Sequence, residues 1–220
     1  MGRERAVYNM NSETRGLLFA AQNDYMGARL LLYRCLLFPA GLLVHQCSEK
    51  ALKAILVENG YSLECCKNSL RHDLVLIGEK AARSVRSFAG SSWTNFFARI
   101  GKGFQFRYMD SLQDYISADS NGRIVSIDDA YVLDNLLGDV HRALAVSATE
   151  LGSLPLHTQL KGDKDLAELI MKDNKRVPDL VTTDQYTEED NTEDRDLVLP
   201  EGLAPSGGDA VRSVIYKPRE

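Results

Sequence analysis

The chain has 220 residues, 44% of them apolar and 26% charged, which suits one packed domain plus a tail or two small domains. Its formal net charge of −5 argues against a dedicated nucleic-acid clamp, which is usually basic. That acidity is local: residues 161–220 carry 15 acids and 9 bases, net −6, leaving residues 1–160 near +1, so overall charge says nothing about their ligand.

No secretory signal is evident at the charged start, Met-Gly-Arg-Glu-Arg-Ala. The longest apolar run, residues 30–43, is broken by Arg34 and Pro39 and is too short to span a bilayer. The four cysteines, Cys35, Cys47, Cys65 and Cys66, therefore read as reduced thiols of a cytoplasmic protein with no membrane partner. His45, His72 and Cys47 near the Cys65-Cys66 pair match no zinc spacing, so no metal and no cofactor is expected. Cys35 and Cys47 read instead as small core residues.

A first helix is expected over residues 12–35, where Leu18, Ala21, Tyr25, Ala28, Leu32 and Cys35 form one stripe. Pro39 suits the first turn of a second helix, so residues 36–38 should join two antiparallel helices. Gly60 stands where a left-handed stop ends that second helix. Residues 61–71 read as a polar connection. A third helix is expected over residues 72–87, with Leu74, Ile77, Ala81 and Val85 inward and Asp73 in its first turn.

Trp93, Phe96, Phe97 and Ile100 imply a short fourth helix ended by Gly101 and Gly103, and residues 104–110 an aromatic loop. The last long helix should start near Ser126, capped by its hydroxyl with Asp128 and Asp129 in the first turn, and end near Gly152 and Pro155. Ala130, Leu133, Leu137, Val140, Leu144 and Ala148 supply its stripe; His141-Arg142 is expected as an exposed pair. The fold class is thus an all-α antiparallel bundle of four to five helices over residues 5–155. Residues 156–220 are expected to be a largely disordered acidic tail, with a short helix at 164–175 and a strand-like segment at 211–216.

The stretch from His45 to Gly60 carries the most information. At the helical angle, Val44, Cys47, Ser48, Ala51 and Ile55 share one side, and His45, Gln46, Glu49, Lys50 and Lys53 the other. Glu49 precedes Lys53 by four residues, a helical ion pair worth a few tenths of a kcal/mol. His45-Gln46, Glu49-Lys50 and Lys53 in register, followed by His72-Asp73-Leu74, resemble the HEPN family of small helical domains. In that family the second helix reads His-Gln-x-x-Glu-Lys-x-x-Lys and the next opens with His-Asp-Leu.

Many HEPN proteins are ribonucleases, often the toxin paired with a nucleotidyltransferase antitoxin. Their signature is an Arg separated from a His by four to six intervening residues, a cation for phosphate and an imidazole for proton transfer. The required positions are Phe38, Pro39 and Ala40 for His45, and Cys65, Cys66 and Lys67 for His72. They are Asp134, Asn135 and Leu136 for His141, and Glu150, Leu151 and Gly152 for His157. None is Arg, so no catalytic residue is assigned, and enzyme activity is not the expectation. The same basis makes a ribonuclease toxin, or a degenerate relative with its nucleotidyltransferase-type partner, the alternative.

What the resemblance leaves is a ligand-binding set: His45, Glu49, Lys50 and Lys53, then His72 and Asp73, then Arg107 and Tyr108. It offers cations and a helix start for phosphate and an aromatic face for a base. Family members that are not nucleases imply a homodimer and a nucleotide ligand. Against this stands the plainer reading, salt bridges and caps that fix the fold. Arg83, Arg86, Arg99, Lys102 and Arg107 surround Trp93, Phe96 and Phe97, a pattern that can bind RNA. Here the aromatics have helical spacing and read as core. A structural module docking a basic partner through the acidic tail is a further alternative.

Overall fold

The computed structural model describes residues 10–102, 125–146, 148–171 and 174. Arg107, Tyr108, the aromatic segment at 104–110, the acidic stretch at 177–201 and the strand-like segment at 211–216 lie outside the described residues. Every described element is helical: α1 (Ser12–Tyr33), α2 (Leu37–Glu58), α3 (Leu63–Asn68), α4 (Leu74–Ala81), a 3-10 turn (Arg86–Ala89), α5 (Ser91–Gly101), α6 (Asp129–Ala143), α7 (Ala148–Gly152), α8 (Pro155–Gly162) and α9 (Lys164–Met171). This is the all-α bundle that the periodicity predicts. No described helix is long and apolar enough to cross a membrane.

The α1–α2 pair makes the most extensive contact, and α2 also packs on α4, α5 and α6. Leu18, Ala21, Tyr25, Ala28 and Leu32 are buried as their spacing requires. Cys35 is not: it is exposed at φ 57°, one residue beyond the cap. The Cys35 N–H donates to the Leu32 carbonyl and the Leu36 N–H to that of Leu31, closing α1 in a Schellman motif. Gly60, at φ 91°, ends α2 the same way, with its N–H on Val57 and that of Tyr61 on Leu56. Ala145, at φ 46°, ends α6, with its N–H on Arg142 and that of Val146 on His141. The last long helix therefore stops at Ala143 rather than near Gly152.

The third helix is likewise shorter than expected, ending at Ala81. The chain then extends at Val85 so that the 3-10 turn can deliver Phe88 to the aromatic core. Phe88 meets Trp93 edge-on at 5.3 Å, and Trp93 stacks on Phe97 at 5.5 Å. Gly78 lets α4 approach that cluster, since a Cβ there would sit 2.5 Å from the Phe97 ring. Trp93, Phe96 and Phe97 are buried, which makes them core and not a stacking surface. Ser62 caps α3 by accepting from the Cys65 N–H at 3.1 Å, a helix of six residues inside the expected connection.

At the start of α6 the expected Ser126 hydroxyl cap gives way to a carboxylate. Asp129 Oδ2 accepts from the Ser126 N–H at 2.8 Å while Arg99 grips both its oxygens, at 2.9 and 2.5 Å. The packed body also runs past residue 155. Leu154, Leu156, Ile170 and Asn174 are buried, and the Leu156 N–H donates to Gln22 Oε1 at 2.9 Å. Within the expected tail, then, α8 and α9 pack on α1, and the expected short helix at 164–175 is present as Lys164–Met171.

Candidate functional site

α2 is buried on nearly all sides from Ala40 to Val57, polar residues included. His45 is 0% exposed, Glu49 8% and Lys53 5%, because the turn from Leu70 to Asp73 covers what would otherwise be a solvated face. A buried ion must be paired and hydrogen-bonded, and here it is. Lys53 Nζ donates to Glu49 Oε1 at 2.7 Å and to the Arg71 carbonyl at 2.5 Å. Glu49 Oε2 accepts from His72 Nδ1 at 2.8 Å. His45 Nε2 lies 3.3 Å from the His72 carbonyl, and since a carbonyl only accepts, Nε2 is the donor. His45 Nδ1 faces Glu49 Oε2 at 3.7 Å.

Burial pushes the Glu49 carboxyl up, but the hydrogen bonds from Lys53 and His72, with their charges, outweigh it and hold it below its ordinary value. The carboxylate fixes the tautomer of His72: Nδ1 carries the proton facing Glu49, and in the neutral ring Nε2 carries the lone pair. The His72 side chain is 42% exposed. Arg71, also exposed, sits at φ 48°, a left-handed conformation that a side chain disfavours. Lys53 grips its carbonyl, and the turn is held as well by the Asp73 N–H on the Leu70 carbonyl at 3.1 Å and by His45 on the His72 carbonyl.

Of the expected ligand set, His45, Glu49, Lys53 and His72 are thus brought together. Asp73 adjoins them, yet its Oδ1 accepts from the Leu76 N–H at 3.0 Å and caps α4. Lys50 turns to the other side of α2, where it meets Asp24 on α1 at 2.5 Å. Among the described residues no three His, Cys, Asp or Glu side chains converge as a metal site.

A second polar cluster, absent from the sequence reading, ties α1 to α6 and the end of α9. Arg29 Nη1 reaches both Asp134 oxygens at 2.6 and 2.5 Å, and its Nε donates to the Ile170 carbonyl at 2.9 Å. Tyr25 OH donates to Asp134 at 2.6 Å and accepts from Asn174 at 2.7 Å. Burial pushes Asp134 up to about 6, with Arg29 and the Tyr25 hydrogen bond opposing. The available signal was Tyr25-Arg29 at helical spacing of four inside an otherwise apolar stripe.

His141 is buried rather than exposed, its Nε2 3.1 Å from Gln22 Nε2, and burial drives it down to about 4. Arg142 alone is exposed, 3.3 Å from Asp139. Comparison with known proteins found no matching family model, no matching curated protein and no matching solved structure.

Proposed function

We propose that the chain is a HEPN-like, non-enzymatic binding and dimerisation module that takes a nucleotide or other phosphate ligand at the turn over α2. One observation carries this reading: an exposed imidazole, oriented from behind by a buried carboxylate, sits in the turn before the α4 cap, and the residue preceding it, Arg71, is exposed as well. Protonated at Nε2 as well as Nδ1, that imidazole offers a charged donor for a phosphate oxygen without new ordering of the backbone. Within the described part of the expected set this reading rests on His72, with Glu49, Lys53 and His45 as its support, and it adds the exposed Arg71. Lys50 and Asp73 are occupied elsewhere. The missing Arg-to-His signature is the reason for a binding module rather than a ribonuclease toxin with its nucleotidyltransferase partner.

The test is calorimetric titration of the full chain with ATP and GTP, beside the double variant Arg71→Ala/His72→Ala. Saturable heat, weakened roughly tenfold or more in the variant as charge-assisted bonds are lost, is expected. Absence of heat in folded protein removes the ligand part. Equilibrium sedimentation as a monomer removes the dimer part.

A further inference from the structure

We propose that the groove between α4 and α5 is the docking site of this chain's own acidic segment, residues 188–199, bound in cis. The inference does not depend on the reading of the turn over α2. Val75, Gly78 and Ala82 from α4 and its cap, Phe88 from the 3-10 turn and Phe97 from α5 line about 170 Å³. That is the size at which an apolar cavity takes a benzene-sized group. Glu79 is the one charged residue of the lining.

The charge around the groove selects the occupant. Residues 60–102 carry seven bases and three acids, net +4, whereas residues 125–171 carry three bases and eight acids, net −5. Arg83 and Arg86 lie in the connection between Ala82 and Phe88, both lining residues. They are exposed and have no ion pair among the described residues, so they are available to carboxylates. Within residues 177–201, nine acids stand against a single base, Arg195, net −8. The summed field draws that segment toward α3–α5 and away from α6–α9.

The order of residues fits as well. Residues 188–196 carry six acids, and the next three residues are Leu197, Val198 and Leu199. Carboxylates for the arginines are thus followed at once by aliphatic side chains for the groove. Arg195, the one base, supplies the counterpart of Glu79. The apolar run at 211–216 holds Arg212 and leads into Lys217 and Arg219, the wrong sign for this surface.

Reach is sufficient. Asn174, the last described residue, is tied to α1 through the Tyr25 hydroxyl at 2.7 Å. The thirteen residues 175–187 span up to about 45 Å when extended, and a body of this size has a radius of gyration of about 15 Å. A tether of that length holds the segment at an effective concentration of about a millimolar, so weak contacts suffice.

The test compares the full-length wild type with full-length Leu197→Ser/Leu199→Ser by amide NMR at low salt. The variant changes no residue of the described helices. Shifted signals at Gly78, Ala82 and Thr94 are expected, with α1 and α8 unchanged and the same difference after about tenfold dilution. In a second arm, cleavage after Glu189 and Glu193 by a glutamate-specific protease should be at least about threefold slower in wild type than in full-length Arg83→Glu/Arg86→Glu. The gap should close in about 0.5 M NaCl. Groove signals that do not move, or shifts centred on another face, overturn the proposal. A difference that fades on dilution gives the groove to a second copy's segment and overturns docking in cis. Equal cleavage rates remove the arginines as its anchor and overturn it too. The amide comparison decides even if the arginine variant fails to fold.

Discussion

Around Glu49 and around Asp134 the bundle buries a carboxylate against a cation, yet the two clusters differ in where their remaining bonds go. The Asp134 cluster is closed: Arg29, Tyr25 and Asn174 take up one another's donors and acceptors, and Arg29 and Asp134 are 1% and 2% exposed. The Glu49 cluster is closed on Lys53 and His45 but ends in an imidazole that reaches solvent. Burial raises Asp134 in spite of its partners, whereas Glu49 is held low by two donors from different elements. A sealed polar cluster fixes which helices pack together. One that opens at its edge fixes an exposed imidazole in space.

Breaking the sealed cluster should have the largest effect. Arg29→Met leaves a buried carboxylate without its cation and should cost about 3–5 kcal/mol in urea denaturation. Arg29→Met/Asp134→Leu should recover most of that loss, because two well-packed apolar residues replace two desolvated ions. If the double variant is no better than the single one, the cluster specifies the fold beyond its pairwise charges.

Glu49→Gln sharpens the contrast at the open cluster. It keeps an acceptor for Lys53 but removes the charge, and should cost about 2–3 kcal/mol by thermal unfolding at neutral pH. Since the folded carboxyl titrates lower than the unfolded one, this stabilisation is present above the ordinary glutamate range. It is lost as pH falls through the folded value, so the difference between wild type and variant should shrink in acid.

His141 provides the intermediate case. Its folded value of about 4 lies below the ordinary 6.5, so the unfolded chain takes up a proton first as pH falls. Stability is unaffected above 6.5, declines below it, and carries the full loss by about 4. Asp134 acts oppositely between about 6 and 3.8, because there the folded state binds the extra proton. His141→Gln should therefore gain about 2 kcal/mol relative to wild type on moving from pH 7 to pH 5, measured by denaturant titration at each pH.

The smallest effect is expected at a helix end. Ala145→Gly should stabilise by about 0.5–1 kcal/mol, since glycine occupies the left-handed position at no steric cost. A loss instead would mean that the methyl group packs usefully.

Much of the fold was legible because the helical period writes burial directly into residue spacing. Leu18 to Leu32 and Ala130 to Leu144 needed only that period to be placed in the core. Gly60 marked its own helix end, whereas Cys35 and Ala145 adopt the same left-handed turn with side chains that do not announce it. The grouping of His45, Glu49, Lys53 and His72 was visible only through a resemblance, since His72 is 23 residues from Glu49. The Arg29–Asp134 pair spans 105 residues, and its one local sign, Tyr25 and Arg29 four apart, did not point to the partner on α6.

By itself the sequence determined an all-α bundle, its main apolar stripes and the chemical types available at the turn over α2. Tertiary structure decided that this polar face is covered and not solvated. It turned Lys50 toward α1, buried His141, and carried the packed body through Asn174. The physical reason is range. Period and turn chemistry act over a few residues, whereas a buried ion requires a partner that only the folded chain brings within hydrogen-bond distance.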